Sequence, residues 1–545
     1  MQQLDVLVVD CQATAARAQG RGHLLELGWA LAGETPTPPR ACLIKLPEGE
    51  RIPWTVARLT GITHRMLDSA VDADTAWREL AAEAAKRTRQ PAPAVAHYAR
   101  FEQPFLHALA GGAAPPLDLV CTHEIARRLL PDLPRRSLRA LTGYFGRPVS
   151  ALRRSADHVD ATAFVWQSLV LLLEGQGIVA WEALIEWLAA PVASSLSGAG
   201  GRRRRVWPMP RDVRLAVPDA PGVYRLMRTG GSLLYIGKAT SLHRRVNSYF
   251  GQQRHAPDRM LEMLSQAREL SVEVTESTLE AALLEADEIK RHRPPYNIAL
   301  AGEHRDVWFT TADLLDRSTL PSPSHPLGPF RWPVLLDRFA ALANGSADAL
   351  ADRWWPVDPV TFDEGYARFR AAHPELSRED LSPSARLLRV GTRLWRQGRR
   401  DKSPETSDDE PIAPPTAEEV QGALERLVLR AALARRVAKW VTRLSDAAIT
   451  WREADATNTR LIVVERGEIV LRAWIDAGTP PPLPAGVSRS RAARHEGFTV
   501  AHYDRVRVLL KELKSLAAEG SSVALRIGAG PVIADARLAA ALAWV

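Results

Sequence analysis

Between Gly222 and Asn297 the chain sets five kinds of polar side chain at ordered, close spacing. Gly222-Val223-Tyr224 opens an apolar run that reaches Met227, and Gly230-Gly231 supplies a tight turn. Leu233-Leu234-Tyr235-Ile236-Gly237 returns as the paired strand, with Lys238 directly behind it. Ser241 to Phe250 reads as a helix carrying Arg244, Arg245 and Tyr249. Farther on, Leu279, Leu283 and Ala286 share one helical face and leave Glu285 off that stripe, and the block closes on Pro294-Pro295-Tyr296-Asn297. Hydrolysis of a phosphodiester calls for a positioned water, a cation at the pentacovalent phosphate and an exit for the leaving 3′ oxygen. Phenols, guanidinium groups and an off-stripe carboxylate are the side-chain types that such chemistry employs.

The order GVY, YIGK, SLHRRVNSYF, EAALLE and PPYN resembles the GIY-YIG nuclease domain of the UvrC excision-repair family over roughly eighty residues. That resemblance implies that Glu285 is the sole protein ligand of one Mg²⁺, with Mn²⁺ the alternative, and that water and phosphate oxygens complete the shell. It implies Tyr224 as general base or water-orienting group, with Tyr235 in support. Arg245 would neutralise charge on the phosphate in the transition state. Lys238 would help hold the water network, Tyr249 would hydrogen-bond within the site, and Asn297 would brace it. Arg244 reads as a contact to the phosphate backbone or as an exposed charge. The family incises DNA 3′ of a lesion, leaving 5′-phosphate and 3′-hydroxyl ends, on DNA delivered by a UvrA–UvrB-type complex.

A second group of titratable residues lies near the start. Val8-Val9-Asp10-Cys11-Gln12-Ala13-Thr14, Leu25-Glu26-Leu27-Gly28, Ala96 to Glu102 (AHYARFE) and Ala156 to Thr162 (ADHVDAT) resemble the motifs of DnaQ-like (DEDDh) 3′–5′ exonucleases. That family holds two Mg²⁺ ions on four carboxylates and uses a histidine base. Here Asp10 is present, but Gln12 stands where the paired acid belongs, and Glu102 is one methylene longer than the family's aspartate. A neutral amide brings no charge to a divalent site. The third motif has two alignments: one sets Arg153 at the base and His158 at the last carboxylate, and the other makes His158 the base with Asp157 or Asp160 as ligand. The expectation is a damaged metal site on an intact fold. The competing readings are a working exonuclease of the DNA polymerase III epsilon-subunit type and a non-catalytic module that binds DNA ends or proteins.

The elements that position these groups follow from the patterning. Val6 to Val9 and Leu24 to Leu31 read as a strand pair, and helical patterns run over 76–87, 101–109 and 161–173. The fold class is therefore α/β and α+β multidomain: an RNase H-like DnaQ exonuclease fold, a GIY-YIG nuclease fold, and a mixed α/β C-terminal region. The expected boundaries are 1–190, a linker 191–212, the nuclease block 213–300, a helical region 301–400, a disordered acidic and proline-containing linker 401–416, and 417–545. The last block includes a hairpin turning at Arg466-Gly467. After Leu300 no UvrB-contacting hairpin, second nuclease or helix-hairpin-helix module is recognisable. The layout resembles a Cho-like, single-nuclease excinuclease placed behind an exonuclease-like domain.

With 545 residues, the chain should form about two to four domains. Its net charge of +8 suits a polyanionic partner such as DNA. Arg202, Arg203 and their two arginine neighbours could add phosphate contacts or form a solvated run. The helix bearing Arg426, Arg430, Arg435, Arg436, Lys439 and Arg443 reads first as a solvated amphipathic surface, with a DNA-contacting stripe as the alternative. Three well-separated cysteines, no signal-peptide pattern and no apolar run of membrane-spanning length lead to the expectation of a cytoplasmic protein without membrane contact.

Overall fold

The computed structural model describes residues 1, 4–15, 22–149, 152–191, 206–251, 256–297, 306–331, 333–345, 359–397, 416–452, 457–484, 498–518 and 521–542. Arg202, Arg203 and most of both expected linkers lie outside the described residues. The chain divides into two compact units, residues 1–274 with 294–297, and residues 275–293 with 298–545. Among the described residues no helix is long and apolar enough to cross a membrane.

The first unit opens with a five-stranded sheet of order β3-β2-β1-β4-β5, formed by β1 (Val6–Ala13), β2 (Leu24–Ala32), β3 (Arg40–Leu43), β4 (Ala92–Ala96) and β5 (Leu117–Cys121). β1, β4 and β5 are parallel, while β2 pairs antiparallel to β1 and β3 to β2. Strand alternation feeds a separate core on each face. Val6 and Val8 pack with Val159, Trp166 and Leu169, while Leu7, Val9 and Cys11 pack with Leu80, Ala84 and Leu106. Because both faces are covered, β1 reads as a continuous apolar run rather than an alternating one. The helices that matter for chemistry are α1 (Ala99–Leu109), α2 (Leu138–Tyr144) and α3 (Ser155–Glu174).

The same unit contains a three-stranded antiparallel sheet, β7-β6-β8, from β6 (Gly222–Met227), β7 (Leu233–Ala239) and β8 (Glu269–Val274). Gly230 and Gly231 take φ of +84° and +79° in the three-residue loop between Arg228 and Ser232, whose backbones are hydrogen-bonded. α4 (Leu242–Tyr249) starts at Ser241, whose hydroxyl accepts from the Arg244 amide, and α5 (Asp258–Leu264) follows. α2 meets the segment around α5 closely. The Ser137 hydroxyl donates to Glu262 at 2.7 Å, and the Arg135 amide donates to Ser265 at 2.9 Å.

The second unit begins with α6 (Thr278–His292). Leu279 and Leu283 of α6 are buried in one core with Trp440, Leu444, Ile449 and Leu513, and Arg460 holds the Glu280 carboxylate. The sequence pattern places α6 in the 213–300 block, and the Leu279 and Leu283 face of that helix packs with the C-terminal region. Its periodicity announces an apolar face and cannot say what covers it. β9 (Trp308–Thr310), β10 (Arg317–Ser318) and β11 (Leu327–Phe330) form a small sheet where a helical region was expected, because strands this short fall below the window in which periodicity can be read. α7 (Pro383–Arg396) and the long α8 (Ala417–Leu444) follow, the latter opened by a capping box between Thr416 and Glu419. The unit ends in an antiparallel sheet of order β14-β13-β12-β15-β16, from β12 (Ala447–Arg452), β13 (Thr459–Glu465), β14 (Glu468–Ile475), β15 (Ser522–Ile527) and β16 (Val532–Ala534), with α9 (Val500–Ala518) against it. Arg466 and Gly467 turn the β13–β14 hairpin with φ of +52° and +81°.

Candidate functional site: a tyrosine cluster and a self-paired carboxylate pocket

In the antiparallel register Tyr224 lies opposite Gly237, and Leu226 lies opposite Tyr235, so both tyrosines rise from the same face. Tyr249 reaches that face from the last turn of α4, and its hydroxyl is 2.8 Å from that of Tyr224. The three ring centroids are 6.0 to 6.4 Å apart. Gly237 permits the arrangement, because a Cβ there would stand 2.3 Å from the Tyr224 hydroxyl. Arg245 lies over the Tyr249 ring at 5.0 Å and hydrogen-bonds Tyr224. Burial tends to lower its pKa, but the three tyrosines outweigh that and hold it above the usual arginine range. Arg244 and Arg245 are both exposed, and adjacent helical positions point about 100° apart, so the two arginines are separated by direction as well as by number.

Tyr224 is fully buried, and burial together with the neighbouring Tyr249 and Tyr235 pushes its hydroxyl well above the usual phenol range. It is a neutral phenol at physiological pH, fit to orient a water by hydrogen bonding rather than to begin as phenolate. Strand alternation starts Lys238 from the opposite face, across from Val223. Asn297 is buried, and its amide acts as a missing strand partner for the edge strand β7, accepting from the Ile236 amide at 2.9 Å and donating to the Ile236 carbonyl at 2.8 Å. Its bracing is thus to backbone. Glu285, half-buried on α6 beside fully buried Leu283 and Ala286, belongs to the second unit. A single half-buried carboxylate on a packed helix fits Mg²⁺, which keeps several waters and takes one or two carboxylates.

The N-terminal pocket behaves differently. The helix α3 crosses β2 so closely at Gly28 that a Cβ there would stand 2.6 Å from the Ser155 Cβ. Glu26, buried to 1% exposure, fixes that crossing by accepting from the Ser155 amide at 2.9 Å and from the Arg154 guanidinium. The crossing delivers His158 to Asp10, with Nδ1 and Oδ1 at 3.2 Å, while Gln12 donates its amide to the other Asp10 oxygen at 2.9 Å. Burial alone would depress His158, but the hydrogen bond and charge of Asp10 raise it. Glu102 is buried beside Asp10 and Cys11, its Oε2 has no hydrogen-bond partner, and burial followed by the Asp10 charge pushes it well above the carboxylate range. Neighbouring His97 is held down to about 3, by burial first and then by His123, and its Nδ1 is 2.9 Å from the Thr122 hydroxyl.

Both alignments of the third motif use His158, and the structure pairs it with Asp10. Asp157 and Asp160, the alternative ligands, are engaged elsewhere. Asp157 accepts from the Arg153 and Arg154 amides at the start of α3, and Asp160 pairs with Arg147. Arg153 is exposed. Asp10, Gln12, Glu102 and His158 therefore replace four anionic ligands with one carboxylate that is already paired, one amide, one buried acid whose ionisation is opposed by its surroundings and one imidazole. Two Mg²⁺ ions do not fit this donor set. Among the described residues no three His, Cys, Asp or Glu side chains converge as a metal-binding group. Sequence reading missed the positioning role of Glu26, although its place beside Gly28 in the second strand was visible.

Residues 220–298 match the family model of the UvrC-like GIY-YIG domain. A Mycobacterium tuberculosis protein provisionally named a bifunctional exonuclease/endonuclease is 29% identical over 349 residues, covering 60% of this chain and 50% of the relative. The UvrABC system protein C of Sphingopyxis alaskensis is 47% identical over 90 residues, covering 16% of this chain and 14% of that protein. The chain therefore spans half or less of the length of these relatives. Among solved structures, the magnesium-bound GIY-YIG N-terminal endonuclease domain of UvrC from Thermotoga maritima is 38% identical, with a TM-score of 0.15, covering 16% of this chain and 94% of that one. Exonuclease X with 5′-overhanging duplex DNA is 18% identical, with a TM-score of 0.24, covering 32% of this chain and 93% of that one. The chain thus carries a UvrC-like GIY-YIG domain at residues 220–298, preceded by a five-stranded sheet domain.

Proposed function

We propose that this protein is a Mg²⁺-dependent DNA endonuclease of nucleotide excision repair that makes one incision per event. The observation that carries the proposal is the buried Tyr224–Tyr249 hydroxyl pair under Arg245, on a domain matching the UvrC-like model. Tyr224, with Tyr235 and Tyr249 fixing its ring, orients the attacking water through its neutral hydroxyl. Arg245 offsets the charge that builds on the phosphate, and Asn297 holds β7 in place beneath them. Glu285 would hold the Mg²⁺, which would polarise the phosphate and stabilise the leaving oxygen. Delivery by a UvrA–UvrB-type complex is carried over from the likeness to UvrC.

The N-terminal domain serves this reading as a binding module without hydrolysis, because Asp10 is consumed by His158 and Gln12. Tyr98, 43% exposed and with its ring 4.5 Å from His123, offers a stacking surface for a strand end. The test is incision of a lesion-bearing and an undamaged duplex by the purified protein, with and without UvrA and UvrB, in Mg²⁺ and in EDTA. Mg²⁺-dependent single nicks at the lesion, stimulated by the loading proteins, support the proposal. Nicking indifferent to lesion and loader would keep the nuclease and remove its place in excision repair.

A further inference from the structure

The second unit holds a cavity of about 260 Å³ between α7 and α8 that nothing in the proposed nuclease chemistry uses. Four of its lining residues are cations, Arg435, Arg436, Lys439 and Arg443, joined by Thr392 and Trp440, and none of the described lining residues is acidic. The cavity cannot close by sliding the helices together. At Gly391 of α7, one residue before Thr392, a Cβ would stand 2.1 Å from the Val428 carbonyl, so the two backbones already touch. Burial, and then the positive charges of Arg396 and Arg443, push Arg436 below the usual arginine range. Among the described lining residues the fold thus gathers like charge in one concavity, a setting that suits an anion.

The row also has a direction. Arg435, Lys439 and Arg443 recur every four residues on one face of α8, about 6 Å apart along the axis. Lys439 and Arg443 are exposed, whereas Trp440 is 3% exposed and lies within 5.4 Å of the Arg443 guanidinium, which it holds on that face. A line of cations one helical turn apart suits a chain of repeating phosphates better than a single small anion. We propose that the α7–α8 groove binds the phosphodiester backbone of a nucleic-acid strand. The nuclease reading contributes only the identity of that strand as DNA.

The test uses the full chain in EDTA, so that no cleavage is needed, and follows the anisotropy of fluorescent single strands and duplexes of several lengths across a salt series. Lys439→Ala/Arg443→Ala is the main variant, since both side chains are exposed and their loss spares the helix packing. Lys439→Glu/Arg443→Glu is the second variant, and circular dichroism checks that both fold. The expected result is a binding loss of about tenfold for the alanine pair and more for the glutamate pair. The slope of log affinity against log salt should fall by about 1.4 on single strands and about 1.8 on duplex, for two phosphate contacts. Unchanged affinity and slope in both folded variants would overturn the proposal. So would displacement by millimolar inorganic phosphate at constant ionic strength with affinity independent of strand length, which would make the groove a small-anion site. A normal salt effect in a protein that never nicks DNA would leave the groove standing and remove the nuclease reading.

Discussion

Two sheet-based pockets in the first unit use polar side chains in opposite ways. In the β6–β7 cluster, each polar group points the next toward open chemistry: Gly237 makes room for Tyr224, Tyr249 hydrogen-bonds it, and Arg245 hydrogen-bonds it with its charge retained. In the β1–α3 pocket the polar groups satisfy one another. Asp10 is taken at both oxygens, and burial followed by the Asp10 charge pushes Glu102 well above the carboxylate range. The contrast teaches that a fold can keep its motif positions together after the charge that a metal needs has gone. A divalent site needs uncompensated negative charge, whereas a single-carboxylate site with water and phosphate ligands leaves the surrounding tyrosines and arginine able to stay neutral or positive.

The largest expected effect comes from removing the Glu285 carboxylate. Glu285→Ala should lower Mg²⁺-dependent nicking by about a thousandfold or more, while Asp10→Ala leaves it unchanged, both read on supercoiled plasmid. Next, Arg245→Ala should cost about 10²- to 10³-fold in kcat, the range for losing one transition-state charge partner, and Arg244→Ala only a few-fold. Equal losses for the two arginines would erase the distinction drawn from their directions. Gly237→Ala should displace the Tyr224 ring and reduce nicking by about 10²-fold, with a lower Tm, because the new Cβ meets the hydroxyl at 2.3 Å.

The smallest effect tests the other pocket by its pH dependence. Because the folded pKa of Glu102 is raised, the folded protein retains a proton that the unfolded chain releases above about pH 4.5, so this group's contribution to stability falls as pH rises from there toward the raised value. Glu102→Gln removes that penalty and should stabilise the protein by about 1–3 kcal/mol at pH 8 but not at pH 4, measured by chemical unfolding at both pH values. A destabilised variant at pH 8 would mean that the carboxylate is ionised and used.

Much of the first pocket was legible in the sequence because its groups sit on local elements. A hairpin with a two-glycine turn fixes which strand residues share a face, and one short helix adds Arg245 and Tyr249. Glu285 lies off the stripe of Leu279, Leu283 and Ala286, and the resemblance to the UvrC-type nuclease is what singled it out. The second pocket was legible only by halves. Gln12 stood plainly in its motif, but the choice among Asp157, His158 and Asp160 depends on how α3 crosses β2, a non-local contact set by Gly28, Glu26 and Arg154. The C-terminal core that covers the α6 face was hidden because local pattern does not report a distant partner, and β9 to β11 because strands of two to four residues are too short for periodicity to show.

The most direct test follows the 3′ end. The Glu285→Ala protein is incubated in Mg²⁺ with an end-labelled single strand and resolved at single-nucleotide steps. The account predicts no shortening, because on the proposed reading Glu285 holds the metal and the N-terminal pocket does not hydrolyse. Stepwise trimming that disappears on adding Asp10→Ala would contradict it, and would show that the N-terminal pocket assembles a working metal site despite Gln12 and His158.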